Sequence, residues 1–199
     1  MRPVALWGLT AEVLANPAVA AHRLTDVEEQ RAERFANPQD RDSFRAAHLL
    51  VRVCGSRAGL SPDVLILVQR CRECGGEHGV PRYPNAPQAR VSLGHTRGAV
   101  IAAVAPAAVG VDIEPTRPLK LADIAPVLSP AEAARLRRQP EDAVKLWCRK
   151  EAAVKASEVG IAGMSAVDAL AGSAWSETSS EGFHMCIAFE TRMKLERVR

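Results

Sequence analysis

Apolar side chains at Phe44, Ala47, Leu50, Val51 and Cys54 recur at the three- and four-residue steps of a helical stripe. The spacing predicts a helix over about 39–57, ending at "AGL". Just upstream, "LTDVEEQRAERFANP" predicts a shorter helix. Thr25 and Glu28 form a capping box at its start, Arg31 and Arg34 share a face, and Asn37 before Pro38 stops it. "DVLILVQ" is a short β-branched apolar run and predicts a buried strand, while "CRECGGEHGVPRYPNAPQ" is dense in Gly and Pro and predicts a loop.

"ARVSLGHTRGAVIAAVA" predicts a strand, a turn and a second strand, and "AAVGVDIEP" a third, stopped by Pro115. "SPAEAARLRR" opens on another capping box, Ser129 with Glu132. "EDAVKLWCRKEAAVKASEVG" predicts a long helix closed by Gly160. Weak strands are expected near 166–171 and 183–190, and "TRMKLERVR" is expected to be an exposed basic tail. "LLVRVCGSRAGLSPDVLIL" and "EAAVKASEVGIAGMSAVDAL" echo each other as helix end, Gly-apolar pair and apolar strand, suggesting two α/β units that meet near 105–108.

Composition narrows the function classes. A chain of 199 residues, 47% apolar, can bury a sizeable core. The net charge of +3 and aromatic content of 4% give no argument for nucleic acid, because few stacking platforms are present. The longest apolar run, "GAVIAAVAPAAVGV", is broken by Pro106 and is too short to span a bilayer, so no membrane partner is expected. No signal peptide is read at the N-terminus, and five scattered cysteines fit a reducing cytoplasm, which is the expected location.

Two short stretches carry candidate chemistry. On a strand, Asp112 and Glu114 of "GVDIEP" point to one side and Ile113 to the core. Paired carboxylates suit a hard cation such as Mg²⁺, and equally suit two solvated acids on an edge strand. On a helix, Trp147, Glu151 and Lys155 of "WCRKEAAVKA" are four apart and share a face. Glu151 with Lys155 could be an ordinary surface pair, but a Trp on the same face is better explained by a cleft than by open solvent. The chain has only five lysines, and three of them, Lys145, Lys150 and Lys155, surround this glutamate.

Taken together, "VSLGHTRG", "GVDIE" and "WCRKEAAVK" in this order resemble the 4′-phosphopantetheinyl transferase superfamily. Its signatures G-(I/V)-D-(I/V)-E and W-x-x-K-E-(A/S)-x-x-K stand intact at 110–114 and 147–155, and the length resembles the larger, two-subdomain type that activates peptide and polyketide synthetases. The resemblance implies an α+β fold of two similar α/β subdomains, 1–105 and 106–199, in pseudo-twofold arrangement with the active site in the cleft between them. It implies transfer of 4′-phosphopantetheine from coenzyme A to a serine of an apo acyl or peptidyl carrier protein, releasing 3′,5′-ADP, with the chain working as a monomer in secondary metabolism. Asp112, Glu114 and Glu151 would hold Mg²⁺. Lys150 or Glu151 would help deprotonate the serine, with Lys150 favoured because Glu151 cannot easily be both a full ligand and a base. Lys155 would contact the phosphates, as would Lys150. Arg31, Arg34, Arg41, His95 and Thr96 would meet the nucleotide and its 3′-phosphate. The carrier would dock near 119–128. The alternatives are a hydrolase cleaving coenzyme A on the same scaffold, and a non-catalytic coenzyme A or carrier-binding protein.

Three positions depart from the family pattern. Ser43 stands where members often have Arg, Val80 where many have Lys, and Gly94 where many have Ser before the His. Arg41, Arg45 or Arg82 would have to substitute for the lost contacts, or coenzyme A would be held weakly. Finally, Cys71, Cys74 and His78 have zinc-ligand spacing with no evident fourth ligand; Cys54 is one option, and a purely structural loop is the other reading.

Overall fold

The structure is a computed structural model and describes residues 1–71, 74–170, 175–190 and 193–198. The chain opens on strand β1 (Val4–Leu9), then short helices α1 (Thr10–Ala15) and α2 (Pro17–Ala20). Helix α3 (Asp26–Ala32) precedes the long helix α4 (Pro38–Arg57). Two-residue strands β2 (Val68–Gln69) and β3 (Pro81–Arg82) bracket the Cys-containing loop. Strands β4 (Arg90–Thr96), β5 (Ala99–Ala105) and β6 (Val109–Pro115) follow. Helices α5 (Leu121–Ile124), α6 (Pro130–Arg138) and α7 (Ala143–Ser157) come next, then β7 (Trp175–Ser180), β8 (Phe183–Phe189) and β9 (Leu195–Arg197).

The strands build a four-stranded sheet, β4-β5-β1-β9, a three-stranded sheet, β6-β8-β7, and a small pair, β2-β3. Strand β5, "AVIAAVA", is buried at every position because both of its faces are covered. Period two sorts its side chains. Val100, Ala102 and Val104 join the core under α4, with Leu50, Val51 and Cys54. Ala99, Ile101, Ala103 and Ala105 join a second core shared with the other sheet, through Val111, Ile113, Met185 and Ile187.

The same alternation sets the site on β6. Val109, Val111 and Ile113 face the shared core. Gly110, Asp112 and Glu114 therefore face α7. A Cβ at Gly110 would stand 1.8 Å from the Ala152 carbonyl oxygen and 2.5 Å from the Ala156 nitrogen. Only glycine lets strand and helix backbones approach this closely, and the approach brings the first carboxylate pair up to Glu151 and Lys155. Gly110→Ala is expected to destabilise the fold by about 2–3 kcal/mol through overpacking against backbone, read as a lower midpoint in urea.

Several predicted elements are corrected. Most of "DVLILVQ" is not a strand: 62–64 form a turn of 3₁₀ helix and only 68–69 pair, with Leu65 and Leu67 buried but Ile66 and Val68 exposed. Helix α3 ends at Ala32, earlier than expected; Asn37 instead caps α4 through Gln39 N–H, with Pro38 in its first turn. Helix α7 ends at Ser157 on Glu158, in the left-handed region at φ 57°, before Gly160 is reached. Residues 161–166 are 3₁₀ helix rather than strand, and 171 lies outside the described residues. The C-terminal stretch is not a free tail. Leu195, Glu196 and Arg197 pair in parallel with Ala5, Leu6 and Trp7, and Val198 is buried; Thr191, Arg192 and Arg199 lie outside the described residues. Both capping boxes form as expected, at Thr25 with Glu28 and at Ser129 with Glu132.

Candidate active site

Asp112 and Lys155 form the centre of the site. Lys155 Nζ donates to Asp112 Oδ1 at 2.7 Å. Asp112 is 6% exposed, and its Oδ2 is buried with no hydrogen-bond partner among the described residues. Burial pulls the Lys155 ammonium down, but Asp112 and then Glu151 more than offset it and hold the ammonium above its ordinary range. Behind Asp112, burial and then the carboxylate itself push the Cys148 thiol well up.

Trp147 turns its indole inward and donates from Nε1 to Glu114 Oε1 at 2.9 Å. The cleft expected from the shared Trp147 face is thus occupied by a carboxylate from β6. Burial, then repulsion from Asp112, raises Glu114 from 4.5 to about 7. Glu151 is raised by burial and by Asp112, with Lys155 pulling the other way. Glu114 and Glu151 both feel the Asp112 carboxylate, and with one cation and an orphaned buried oxygen the cluster carries an excess of negative charge that a divalent cation would offset. The three carboxylates are not gathered around a common point as tightly as a closed metal site.

Beside this cluster lies a cavity of about 310 Å³ lined by Arg31, Arg34, Phe35, Phe44, His48, Gln69, Leu93 and His95. It gathers three of the predicted nucleotide-binding residues. Arg31 lies over the Phe44 ring at 5.1 Å and donates to Gln69 Oε1 at 2.6 Å. His95 meets Phe35 and Phe44 edge-on, with centroids 6.1 and 5.9 Å apart. Burial, then His48 and Lys155, lowers His95 to about 4, so it is neutral at pH 7. The influence of Lys155 on His95 links the cavity electrostatically to the carboxylate cluster. Phe35, Phe44, His48 and Gln69 were not singled out as site residues from the sequence; the (i, i+4) spacing of Phe44 and His48 on α4 was the available signal.

Other predicted residues are placed elsewhere. Lys150 is fully buried and donates to Glu132 Oε1 and Oε2, at 3.1 and 2.9 Å, and to the Val167 carbonyl oxygen at 2.5 Å. The structure does not bring its ammonium to the carboxylate cluster, because Glu132 and Val167 hold it against α6. Arg41 pairs with Glu33 at 2.9 Å, Arg45 with Glu29 and Glu33, and Arg82 with Glu158, so none of the three lines the cavity. Thr96 ends β4 in a half-buried position.

Two of the departures have a structural reason. Ser43 is buried, with its hydroxyl bonded to Thr10 Oγ1 at 2.9 Å and accepting from Gly98 N–H at 3.2 Å. It ties α4 to the β4–β5 turn and reaches no ligand space. A Cβ at Gly94 would stand 3.4 Å from Lys155 Nζ and 3.2 Å from Ile101 Cγ2, so the glycine leaves the lysine room beside β4. Val80 is half-buried beside β3, and nothing in the structure explains its choice.

The two signature stretches converge in space as well as in sequence: β6 supplies Asp112 and Glu114, and α7 supplies Trp147, Glu151 and Lys155. Residues 108–196 match the model of the 4′-phosphopantetheinyl transferase superfamily. That superfamily match contains both signature stretches and runs from β6 through β8 into β9, and it supports a transferase of phosphopantetheine in general terms. The cavity residues of α3, α4 and β4 lie upstream of the superfamily match. No curated protein matches the chain. Among the described residues no helix is long and apolar enough to cross a membrane.

Proposed function

We propose that this protein transfers 4′-phosphopantetheine from coenzyme A to a serine hydroxyl of an apo acyl or peptidyl carrier protein, releasing 3′,5′-ADP. The observation that carries the reading is the juxtaposition of the Asp112–Glu114–Glu151 cluster and Lys155 with a cavity holding Arg31, Arg34 and His95. The proposal extends to the larger, two-subdomain type acting in secondary metabolism, with units 1–105 and 106–199 related by a pseudo-twofold axis, working as a cytoplasmic monomer. The layout of one long helix on each sheet, α4 on the first and α7 on the second, supports it.

Each group has a task that follows from its surroundings. The cavity takes the adenosine and its 3′-phosphate: Phe35, half-buried at the cavity wall, offers an apolar surface for the base, Phe44 lies beneath Arg31, and Arg31 and Arg34 offer charge. His95, neutral at pH 7, donates or accepts one hydrogen bond rather than adding charge. Lys155, held charged by Asp112, is the cation nearest the developing pyrophosphate charge. Asp112, Glu114 and Glu151 would hold Mg²⁺, which supplies neutralisation of the pyrophosphate and of the leaving 3′,5′-ADP. The Glu151 side chain makes no hydrogen bond among the described residues and burial raises its basicity; to take the serine proton it would have to meet the ion through a water, leaving Asp112 and Glu114 as the direct ligands. Lys150 organises α6 against α7 instead. The carrier docks near 119–128, where Leu121 is 40% exposed.

The cluster makes cation binding pH-dependent. Glu114 is protonated in the folded chain below about 7, against 4.5 ordinarily. Between those values the folded state binds the extra proton, so without metal the stability falls as pH rises through that window. A cation must displace the proton, so Mg²⁺ affinity is expected to weaken as pH falls below about 7. Calorimetry in buffers of different ionisation enthalpy checks this: proton release should accompany Mg²⁺ binding near pH 6 and be clearly smaller in Glu114→Gln.

The function is tested by intact-mass spectrometry of an apo carrier mixed with the protein, coenzyme A and Mg²⁺. One added phosphopantetheine, lost without metal, supports transfer. Cleavage of coenzyme A without a carrier indicates a hydrolase, and binding of coenzyme A without turnover across several carriers and dephospho-coenzyme A indicates a non-catalytic protein.

A further inference from the structure

The loop joining β2 to β3 belongs neither to the hydrophobic core nor to the carboxylate cluster. Within it, ligand atoms of Cys71, Cys74 and His78 all lie within 4.8 Å of one another, the one such group of three or more among the described residues. Cys74 Sγ stands 3.1 Å from His78 Nε2. Zinc–sulfur and zinc–nitrogen bonds in a tetrahedron set that edge at about 3.5 Å, so a small outward shift admits the ion.

Backbone hydrogen bonds close the loop on itself. Gly75 N–H donates to the Cys71 carbonyl at 3.0 Å, and Cys71 N–H to the Gly76 carbonyl at 2.9 Å. Gly76 N–H donates to Cys74 Sγ at 3.4 Å and fixes the direction of that sulfur. Gly75, at φ 69°, permits the reversal, and a Cβ at Gly79 would stand 2.9 Å from the Arg70 carbonyl oxygen, so the loop closes on its own entrance. Few apolar side chains stand here to hold such a turn together. Two thiolates and an imidazole are the donor set of a borderline-soft divalent ion, not of Mg²⁺. Cys54 is not part of it; its thiol is buried under α4 and donates to the Ala102 carbonyl oxygen at 3.5 Å.

We propose that Cys71, Cys74 and His78 bind one Zn²⁺, with water as the fourth ligand, as a clip that shapes the rim of the Arg31–His95 cavity. The link to the cavity is direct. Gln69, just before the loop, accepts from Arg31 and donates to the Gly79 carbonyl at 3.1 Å. Glu77, inside the loop, lies 3.5 Å from Arg34. Binding releases the two thiol protons to solvent and needs a neutral imidazole, so it weakens in acid.

The test is zinc content after incubation of the reduced, full-length protein with Zn²⁺ and removal of loose metal. One zinc per chain is expected, retained in Asp112→Asn and reduced at least about tenfold in affinity by Cys71→Ser, Cys74→Ser and His78→Asn. Co²⁺ in its place should give intense tetrahedral and thiolate charge-transfer absorption that each cysteine variant removes. Equal zinc in wild type and both cysteine variants, or none in the wild type, overturns the site. So does an intact mass showing that, in air with dioxygen as the oxidant, Cys71 and Cys74 close into a disulfide as fast with Zn²⁺ present as without it. None of these readouts depends on phosphopantetheine transfer.

Discussion

Asp112→Asn is expected to lower phosphopantetheine transfer by roughly 10³-fold or more while leaving the fold intact. The residue is where the charges of the site meet. Its Oδ1 takes Lys155 and its Oδ2 is buried without a partner. Asparagine has the same shape, but it places an amide donor on the side where a cation would sit and leaves Lys155 facing a neutral oxygen. Stability should fall only modestly, because Lys155 loses its partner but its side chain stays 30% exposed and Glu151 remains near it. Asp112 is the second cause of the raised Glu114, so removing its charge lets Glu114 ionise more readily in the fold. Intact-mass rates with an apo carrier, alongside a thermal melt, separate the two effects. Unchanged transfer would remove Asp112 from the site. Glu151→Gln, expected to cost a similar factor, checks that the loss belongs to the cluster and not to one side chain.

What could be read from the sequence follows from how local each interaction is. The two capping boxes, the stripe of α4, and the β4–β5 hairpin with β6 were legible, because each rests on neighbours within a few residues. The faces of β6 were legible too: period two alone places Asp112 and Glu114 together and opposite Ile113. Strand β1 was not. "VALWGL" has no alternation of its own and becomes a strand because β5 pairs with it on one edge and β9, from the far end of the chain, on the other. "DVLILVQ" failed for the opposite reason. It alternates buried and exposed residues like a strand, yet only 68–69 find a partner.

At the site, spacing gave the composition of α7 but not its partners. It put Trp147, Glu151 and Lys155 on one face, and the structure gives that face Glu114 and Asp112. The cavity beside it was only half legible. Arg31, Arg34 and His95 could be named, but the aromatic walls that Phe35 and Phe44 supply arise from packing α3 and α4 against β4. Lys150 was the costliest ambiguity. One residue from Glu151, it lies about 100° around the helix, and nothing local says that this direction leads to α6. Its partner, Glu132, had already been given a complete local role as a capping residue.

That pair carries the largest expected effect on stability. Lys150→Met should cost about 3–5 kcal/mol, because it strands a buried carboxylate. Glu132 has no exposed surface and already accepts from Ser129 N–H at 2.7 Å and Ala169 N–H at 2.8 Å. Those two donors alone leave a full negative charge in the core between α6, α7 and the segment after it. Lys150 also satisfies the Val167 carbonyl, which a methionine leaves bare. The double variant Glu132→Gln with Lys150→Met should recover much of the loss, since no charge is then buried, and it stays measurable if the single variant does not fold. Urea unfolding of the set gives the coupling, and transfer rates under folding conditions give the role. A large coupling, with the double variant retaining transfer within about tenfold, fits an anchor that acts through packing. A lysine that took the serine proton would behave in the opposite way: stability would hold when it is replaced, and transfer would collapse in both variants alike.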